Sequence, residues 1–236
     1  AFYSCTGIDS LLLPASVTEV GVNAFYGCTS LAKLSMMKDC KLQKIGESAF
    51  ECAALTELAL PEGVTEVGPR AFYENQALQM VSLPASLTVV GENAFAGDTA
   101  LFRVTFRGSS KLTTVGAYAF AYTEALQKFE LPAEVTELGD HAFSGSGLVK
   151  FTVSAAAKLQ KPAAVVFTAG KVYYADSLEE KFPWTSPWSQ TTVLYFEHAR
   201  DIVIEGNGCR LELGPSTGCF FNLYSEKLVY HDLIVD

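Results

Sequence analysis

Long apolar runs are missing from this chain. Its longest, such as Ala163 to Phe167 and Ile202 to Ile204, fall far short of the roughly 20 residues that a membrane-spanning helix needs, so membrane insertion is not expected. Basic residues are scarce too: 17 Lys and Arg stand against 26 Asp and Glu, a net charge of -9, with no long block of one sign. Nucleic acids and anionic membranes recruit clustered cations, so neither is an expected partner. Histidine occurs only three times. His141 stands at a variable surface position, and His198 and His231 have no second His or Cys at ligand spacing, which predicts no metal site. The chain has no Gly-x-Ser-x-Gly elbow, phosphate loop or Cys-x-x-Cys pair. Glu179 and Glu180 are paired carboxylates on an expected surface helix. No catalytic residue and no cofactor is expected, and the chain reads as a non-enzyme.

What is abundant is repetition. Ala-Phe pairs end at Phe2, Phe25, Phe50, Phe72, Phe95, Phe120 and Phe143, giving separations of 23, 25, 22, 23, 25 and 23. A near-constant period in this range predicts a solenoid whose coils stack and bury one another. A single coil hides six or seven large apolar side chains at about 1.5 to 3 kcal/mol each, against roughly 1 to 2 kcal/mol per residue of backbone ordering. A lone coil is therefore unstable, and neighbours must supply the difference. Within the unit, sets such as Leu55, Leu58 and Leu60 or Leu78, Val81 and Leu83 predict a short inward-alternating strand. Val64 with Val67 or Leu87 with Val90 leads to a glycine at Gly21, Gly46, Gly68, Gly91, Gly116 and Gly139. That glycine marks a corner that a Cβ would block. The Ala-Phe that follows should stack Phe on Phe through the interior.

Four expected strands finish in Leu-Pro, at Pro14, Pro61, Pro84 and Pro132, where a missing N–H ends a ladder without loss. Met37 to Lys41 and Arg107 to Lys111 replace that corner in the two 25-residue units and are expected to protrude. They are solvated connections or, in the alternative, a binding rim.

The unit Ala-Phe-x-x-Cys-x-x-Leu-x-x-Leu-x-Leu-Pro-x-x-Val-Thr-x-Val-Gly resembles that of BspA-like, or Treponema-type, leucine-rich repeats over residues 1 to 154. The resemblance implies a mainly β, right-handed solenoid of short parallel strands with about 23-residue coils, capped at its C-terminal end. It also implies a role in adhesion or in protein and matrix binding, with an extracellular or cell-surface location and no catalytic residues. Residues 155 to 190, with Ser177 as an expected helix cap and Trp184 and Trp188 among prolines, look like that family's closing segment, which covers the apolar last coil. Residues 191 to 236 read as a β-rich extension, and the stretches 201–213 and 225–236 resemble the opening coil of a pectate-lyase-type parallel β-helix. Ala1-Phe2 reads as the tail of a unit begun upstream, and the end at Asp236 reads as though more coils follow.

Cys5 and Cys28 occupy one template position, Cys52 nearly so, and that slot continues as Asn75, Asp98, Thr123 and Ser146. Buried thiols are expected there, since adjacent Cβ directions are parallel and disfavour a bridge. Cys209 and Cys219 are better disulfide candidates, with the free thiols as the open alternative. The expected working surface is the outward strand column Lys33, Glu57, Met80, Arg103, Lys128 and Lys150, four of its six residues cationic within an acidic protein. Two positions on come Ser35, Ala59, Ser82, Thr105, Glu130 and Thr152. Ordinary solvated residues would look the same. Thr18, Thr65, Thr88, Thr113 and Thr136 form a hydroxyl column that strand propensity accounts for. Three functions fit: a protein- or glycan-binding module, an accessory region of a carbohydrate-active protein, and a structural subunit of a larger assembly.

Overall fold

The computed structural model describes residues 2–148 in full and, beyond them, the backbone of six further strands and of the last strand of the array. Each coil contributes a longer strand and then a two-residue strand: β1 (Ser10–Leu13) and β2 (Glu19–Val20), β3 (Lys33–Met36) and β4 (Lys44–Ile45), β5 (Glu57–Ala59) and β6 (Glu66–Val67). The series continues with β7 (Met80–Leu83) and β8 (Val89–Val90), β9 (Arg103–Phe106) and β10 (Thr114–Val115), β11 (Lys128–Leu131) and β12 (Glu137–Leu138), then β13 (Lys150–Val153). The longer strands pair in parallel in the order β1-β3-β5-β7-β9, with β11-β13 as a further parallel pair, and the short ones in the order β2-β4-β6-β8-β10-β12. Among the described residues no helix forms. The expected mainly β solenoid of parallel strands is the observed fold.

Its interior is the predicted aromatic spine. Phe25 to Phe143 are buried, and successive rings from Phe2 onward lie 5.2 to 5.5 Å apart and within 4 to 9° of parallel. The alanine before each phenylalanine is fully buried from Ala49 onward, leaving room for the ring of the same coil. The branched and leucine positions of both sheets, among them Leu58, Val81, Val67 and Val90, close the core from the two sides.

The Ala-Phe segments are held by a ladder of their own. Asn23, Phe25 and Gly27 donate their N–H groups to the carbonyls of Glu47, Ala49 and Glu51 on the next coil, while Ala24, Tyr26 and Cys28 donate back to Gly21, Asn23 and Phe25. Alternation of this kind requires a left-handed residue on either side of the pair. Asn23, Ser48, Arg70, Asn93, Tyr118 and His141 have φ of 51 to 57°, and Ser4, Gly27, Cys52, Glu74, Gly97, Tyr122 and Gly145 have φ of 53 to 79°. Each non-glycine there costs on the order of 1 kcal/mol or more, and the inter-coil hydrogen bonds offset it.

The corner glycines work by close approach, as expected, and not by unusual φ. A Cβ on Gly46, Gly68, Gly91 or Gly116 would stand 2.5 to 3.0 Å from main-chain atoms of the preceding coil. The two long units hydrogen-bond to the preceding coil at matching places, Met37 to Leu13 and Lys41 to Ala15, Arg107 to Leu83 and Lys111 to Ala85. Between those anchors the chain bulges outward, exposing Met37, Lys38 and Asp39 in one loop and Arg107, Gly108 and Ser109 in the other.

Beyond the array lie β14 (Tyr173–Tyr174), β15 (Leu194–Phe196), β16 (Ile202–Gly206), β17 (Cys209–Leu213), β18 (Cys219–Tyr224) and β19 (Lys227–Tyr230). They form two three-stranded sheets, β14-β16-β17 and β15-β18-β19. β16 with β17 and β18 with β19 pair antiparallel, which corrects the expected parallel β-helix coil. Only two residues, Asn207 and Gly208 or Ser225 and Glu226, join each pair. A parallel crossover needs a dozen or more, and Asn-Gly favours a tight hairpin. The remainder of the expected cap, with Ser177, Trp184 and Trp188, lies outside the described residues.

Gly91→Ala and Gly116→Ala should each destabilise the chain by about 3 kcal/mol or more, because backbone must move. A Cβ on Gly21 meets nothing within 4 Å, so Gly21→Ala should cost less than about 1 kcal/mol. Urea unfolding of the three variants measures the contrast.

Candidate functional site

The strand face is a shallow, ruled surface whose columns are set by register. Ser10, Lys33, Glu57, Met80 and Arg103 are consecutive Cα partners across β1, β3, β5, β7 and β9, and Lys128 pairs with Lys150 across β11 and β13. At about 4.8 Å between strands, neighbouring side chains of a column lie within reach of one ligand. Lys33, Glu57, Arg103 and Lys128 are exposed and Met80 half-buried; the side chain of Lys150 lies outside the described residues. Two residues on, Leu12 pairs with Ser35, Ala59 with Ser82, Ser82 with Thr105, and Glu130 with Thr152. Leu12 is 55% exposed and Phe102, beside Arg103, 44%, so the face offers apolar contact as well as charge. The Arg103 guanidinium lies 5.7 Å from the Phe102 ring.

The charges on this face are unspent. Among the described residues Lys33, Arg103 and Lys128 make no ion pair, and neither do Lys38, Lys41 and Lys111 of the two protruding loops, whereas Lys44 pairs with Glu66 at 2.9 Å, Arg70 with Glu51, and Arg107 with Glu62 at 3.5 Å. The hydrogen bond that Lys44 donates to Glu66 also raises the Lys44 pKa. Arg107 reaches across an intervening coil to donate to the Leu60 carbonyl as well. Its loop is thereby tied down, while the strand column keeps its donors free.

The second sheet carries the threonine column, and it does more than satisfy strand propensity. Thr65, Thr88, Thr113 and Thr136 each donate a hydroxyl hydrogen bond to a carbonyl of the preceding coil, of Gln43, Thr65, Thr88 and Thr113, at 2.9 to 3.3 Å. Those hydroxyls knit the array and are committed to it.

A third cluster was not foreseen from the sequence. On the Ala-Phe turns, Arg70 reaches one coil back and grips Glu51 with two hydrogen bonds, Nε to Oε2 at 2.9 Å and Nη2 to Oε1 at 2.6 Å. The Arg70 guanidinium also sits 4.0 Å from the Tyr73 ring centroid. Burial pushes the Glu51 pKa upward, but the hydrogen bonds from Arg70 and Ser48 outweigh it and hold the carboxyl below its usual range. Arg70 is held above its own ordinary value by the bond to Glu51. An arginine at a place filled in other coils by Asn, Ser, Tyr or His was the only available signal. The partner stands at a different template position on another coil, so alignment of repeats could not pair them.

Other expected residues find their places here. The thiols of Cys5, Cys28, Cys40 and Cys52 are free, and the Cys28 Sγ lies 3.0 Å from the Phe2 carbonyl. Cys52 does not hold the shared slot: Ala53 does, buried, while Cys52 takes the adjoining left-handed position. Burial raises the Cys28 and Cys52 thiol pKa values, which makes poor nucleophiles of both. His141 is half-buried and not simply exposed, its ring stacked on Tyr118 at 5.1 Å. Among the described residues no group of His, Cys, Asp or Glu is arranged to hold a metal ion. His198 and His231 fall outside the described residues. Cys209 and Cys219 open strands of different sheets, and their side chains lie outside the description.

Compared with known proteins, residues 1–111 and 104–168 match the profile of the BspA type Leucine rich repeat region in six copies. A leucine-rich repeat protein from Bacteroides ovatus superposes with a TM-score of 0.56 at 22% identity, covering 87% of this chain and 64% of that one. One from Bacteroides capillosus gives 0.38 at 29% identity over 48% and 85% of the two chains. A leucine rich repeat protein from T. pallidum gives 0.40 at 25% over 61% and 66%. The chain thus spans less than two thirds of the Bacteroides ovatus protein, and that likeness is one of fold. No curated protein matches it.

Arg70→Ala should cost about 1.5 to 3 kcal/mol, the usual loss when a charge-assisted hydrogen-bonded partner of a buried group is removed. Because the Glu51 pKa is lowered in the folded chain, its contribution is complete above the ordinary glutamate range and is lost as the pH falls below it. In the Arg70→Ala chain burial is opposed only by Ser48, so that acid dependence should flatten or reverse. Unfolding curves at neutral and acidic pH, compared between the two chains, check both statements.

Proposed function

The chain belongs to the BspA-type leucine-rich repeat family, and on that premise we propose that it is a non-enzymatic protein- or glycan-binding module of the adhesion type. Its ligand lies along the strand column of Lys33, Glu57, Met80, Arg103, Lys128 and Lys150. The observation that supports this face is that strand register lines its unpaired cations up in one column. Lys33, Arg103 and Lys128 stand exposed without an ion pair on that column, whereas Lys44, Arg70 and Arg107 are taken up within the array and the unpaired Lys38, Lys41 and Lys111 sit on two separate loops. Free, periodically spaced cations beside exposed Leu12 and Phe102 suit an extended acidic partner, an anionic glycan or an acidic protein surface, reading several coils at once. An extracellular or cell-surface location accompanies this reading on the strength of the family.

The quadruple variant Lys33→Ala, Arg103→Ala, Lys128→Ala, Lys150→Ala should lose at least about ten-fold in affinity for acidic polysaccharide such as polygalacturonate or heparin, and should lose most of the salt dependence of binding. Biolayer interferometry at low and physiological salt measures both. Unchanged affinity and salt slope would remove this face from consideration. Loss on Lys44→Ala, whose charge is paired, would move the site to the other sheet.

A further inference from the structure

The slot three residues after each spine phenylalanine lies inside the array and faces main-chain carbonyls. In three coils the occupant's donor is used there. The Asn75 side-chain amide donates to the carbonyls of Phe50 and Phe72 at 2.8 and 2.7 Å. The Thr123 hydroxyl donates to the Phe120 carbonyl at 2.8 Å, and the Cys28 thiol lies against that of Phe2. Asp98 occupies this slot between Asn75 and Thr123, fully buried. One carboxyl oxygen, Oδ1, accepts the Asn75 main-chain N–H at 2.8 Å. The other, Oδ2, has no donor directed at it. In the equivalent coil its place is taken by the amide nitrogen that serves two carbonyls.

A carboxylate here would face acceptors with an uncompensated charge in a dry interior, the costliest arrangement available to an ionisable group. A protonated acid has the missing donor. We infer that Asp98 is a neutral carboxylic acid in the folded chain and that its Oδ2–H donates into the Phe72 and Phe95 carbonyl pair, as the Asn75 amide does one coil earlier. Burial, the larger influence, drives this carboxyl well above its ordinary pKa and the Asn75 N–H opposes; among the described residues no Lys, Arg or His acts on it. Its neighbours in the column, Asn75 and Thr123, are uncharged, and of the acidic chains beside them Glu74 lies outward over Gly97 and Glu124 is exposed. Asp98 is thus a proton-dependent member of the hydrogen-bond column through the middle of the array. This inference does not depend on the ligand or on the strand face.

Linkage fixes the sign. With the folded pKa above the unfolded value of about 3.9, the Asp98 contribution is complete below that value. It is lost as the pH rises through the folded one, by up to a factor of 10 in the unfolding constant per pH unit. Asp98→Asn keeps the donor and removes the proton dependence. Urea unfolding of the whole chain from about pH 4 to pH 9 should show the variant gaining on the natural chain as the pH rises. The infrared difference between the two at neutral pH should contain a protonated-acid carbonyl band. Asn75→Asp, the converse change, should add a second such band and steepen the alkaline loss. Parallel unfolding curves, or a difference spectrum with carboxylate bands alone, would overturn the inference.

Discussion

The distance between coils governs this molecule. Parallel strands fix it near 4.8 Å, the phenylalanine rings must fit it, and they do so at 5.2 to 5.5 Å by lying almost parallel. Every side chain therefore meets the residue at its own template position one coil away. An interior column has to be a residue type that tolerates its own copy above and below. Phenylalanine, leucine and valine satisfy that through dispersion and burial. The glycine corners satisfy it by having no side chain in a place where neighbouring main chains nearly touch.

The same spacing explains which parts of the structure could be read in advance. The spine, the corners and the two sheets follow from identical residues at fixed intervals, because a column of copies is visible in one dimension. Features that join different template positions are not. Arg70 and Glu51 are 19 positions apart, a separation that matches no period, and neither residue repeats. The left-handed residues were hidden for another reason. Positions occupied by Arg70, Tyr118 and His141 carry none of the glycine that would have announced a positive φ, since the inter-coil hydrogen bonds impose the conformation whatever the side chain. The thiol slot shows how one residue misleads: Cys52 lies next to the column by sequence, yet the period assigns the column to Ala53. In residues 191–236 the strand runs were legible and their pairing was not. Apolar runs with turn residues between them specify strands, whereas two-residue connections decide that neighbours run antiparallel.

Interior uniformity has a counterpart in where recognition can reside. Columns that build the array cannot vary without disturbing both neighbours, so a ligand has to be read from side chains whose columns carry no load. The threonine column fails that condition, its hydroxyls being committed to carbonyls of the adjacent coil. The Ala-Phe turns fail it in part, because Glu51, Arg70 and Tyr73 are engaged with one another. The outward strand column meets it. Lys33, Glu57, Met80 and Arg103 differ in charge and size while their backbones remain in register, which is possible only because their side chains make no structural contact that the register depends on.

Asp98 marks the opposite limit, a polar residue within a column that does carry load. The slot supplies carbonyls and excludes water, so it suits donors, and its polar occupants form a chemical series, thiol, amide, hydroxyl and, by protonation, acid, with the apolar Ala53 the one small residue that asks for no partner. An aspartate ordinarily enters an interior as an anion with a cation at its side, and here no cation comes near. The array resolves the conflict by holding a proton in place of a counter-ion, because a neutral acid completes the inter-coil bonding that a charge would break. Coil spacing thus dictates the protonation state of a buried side chain as firmly as it dictates the tilt of the rings beside it.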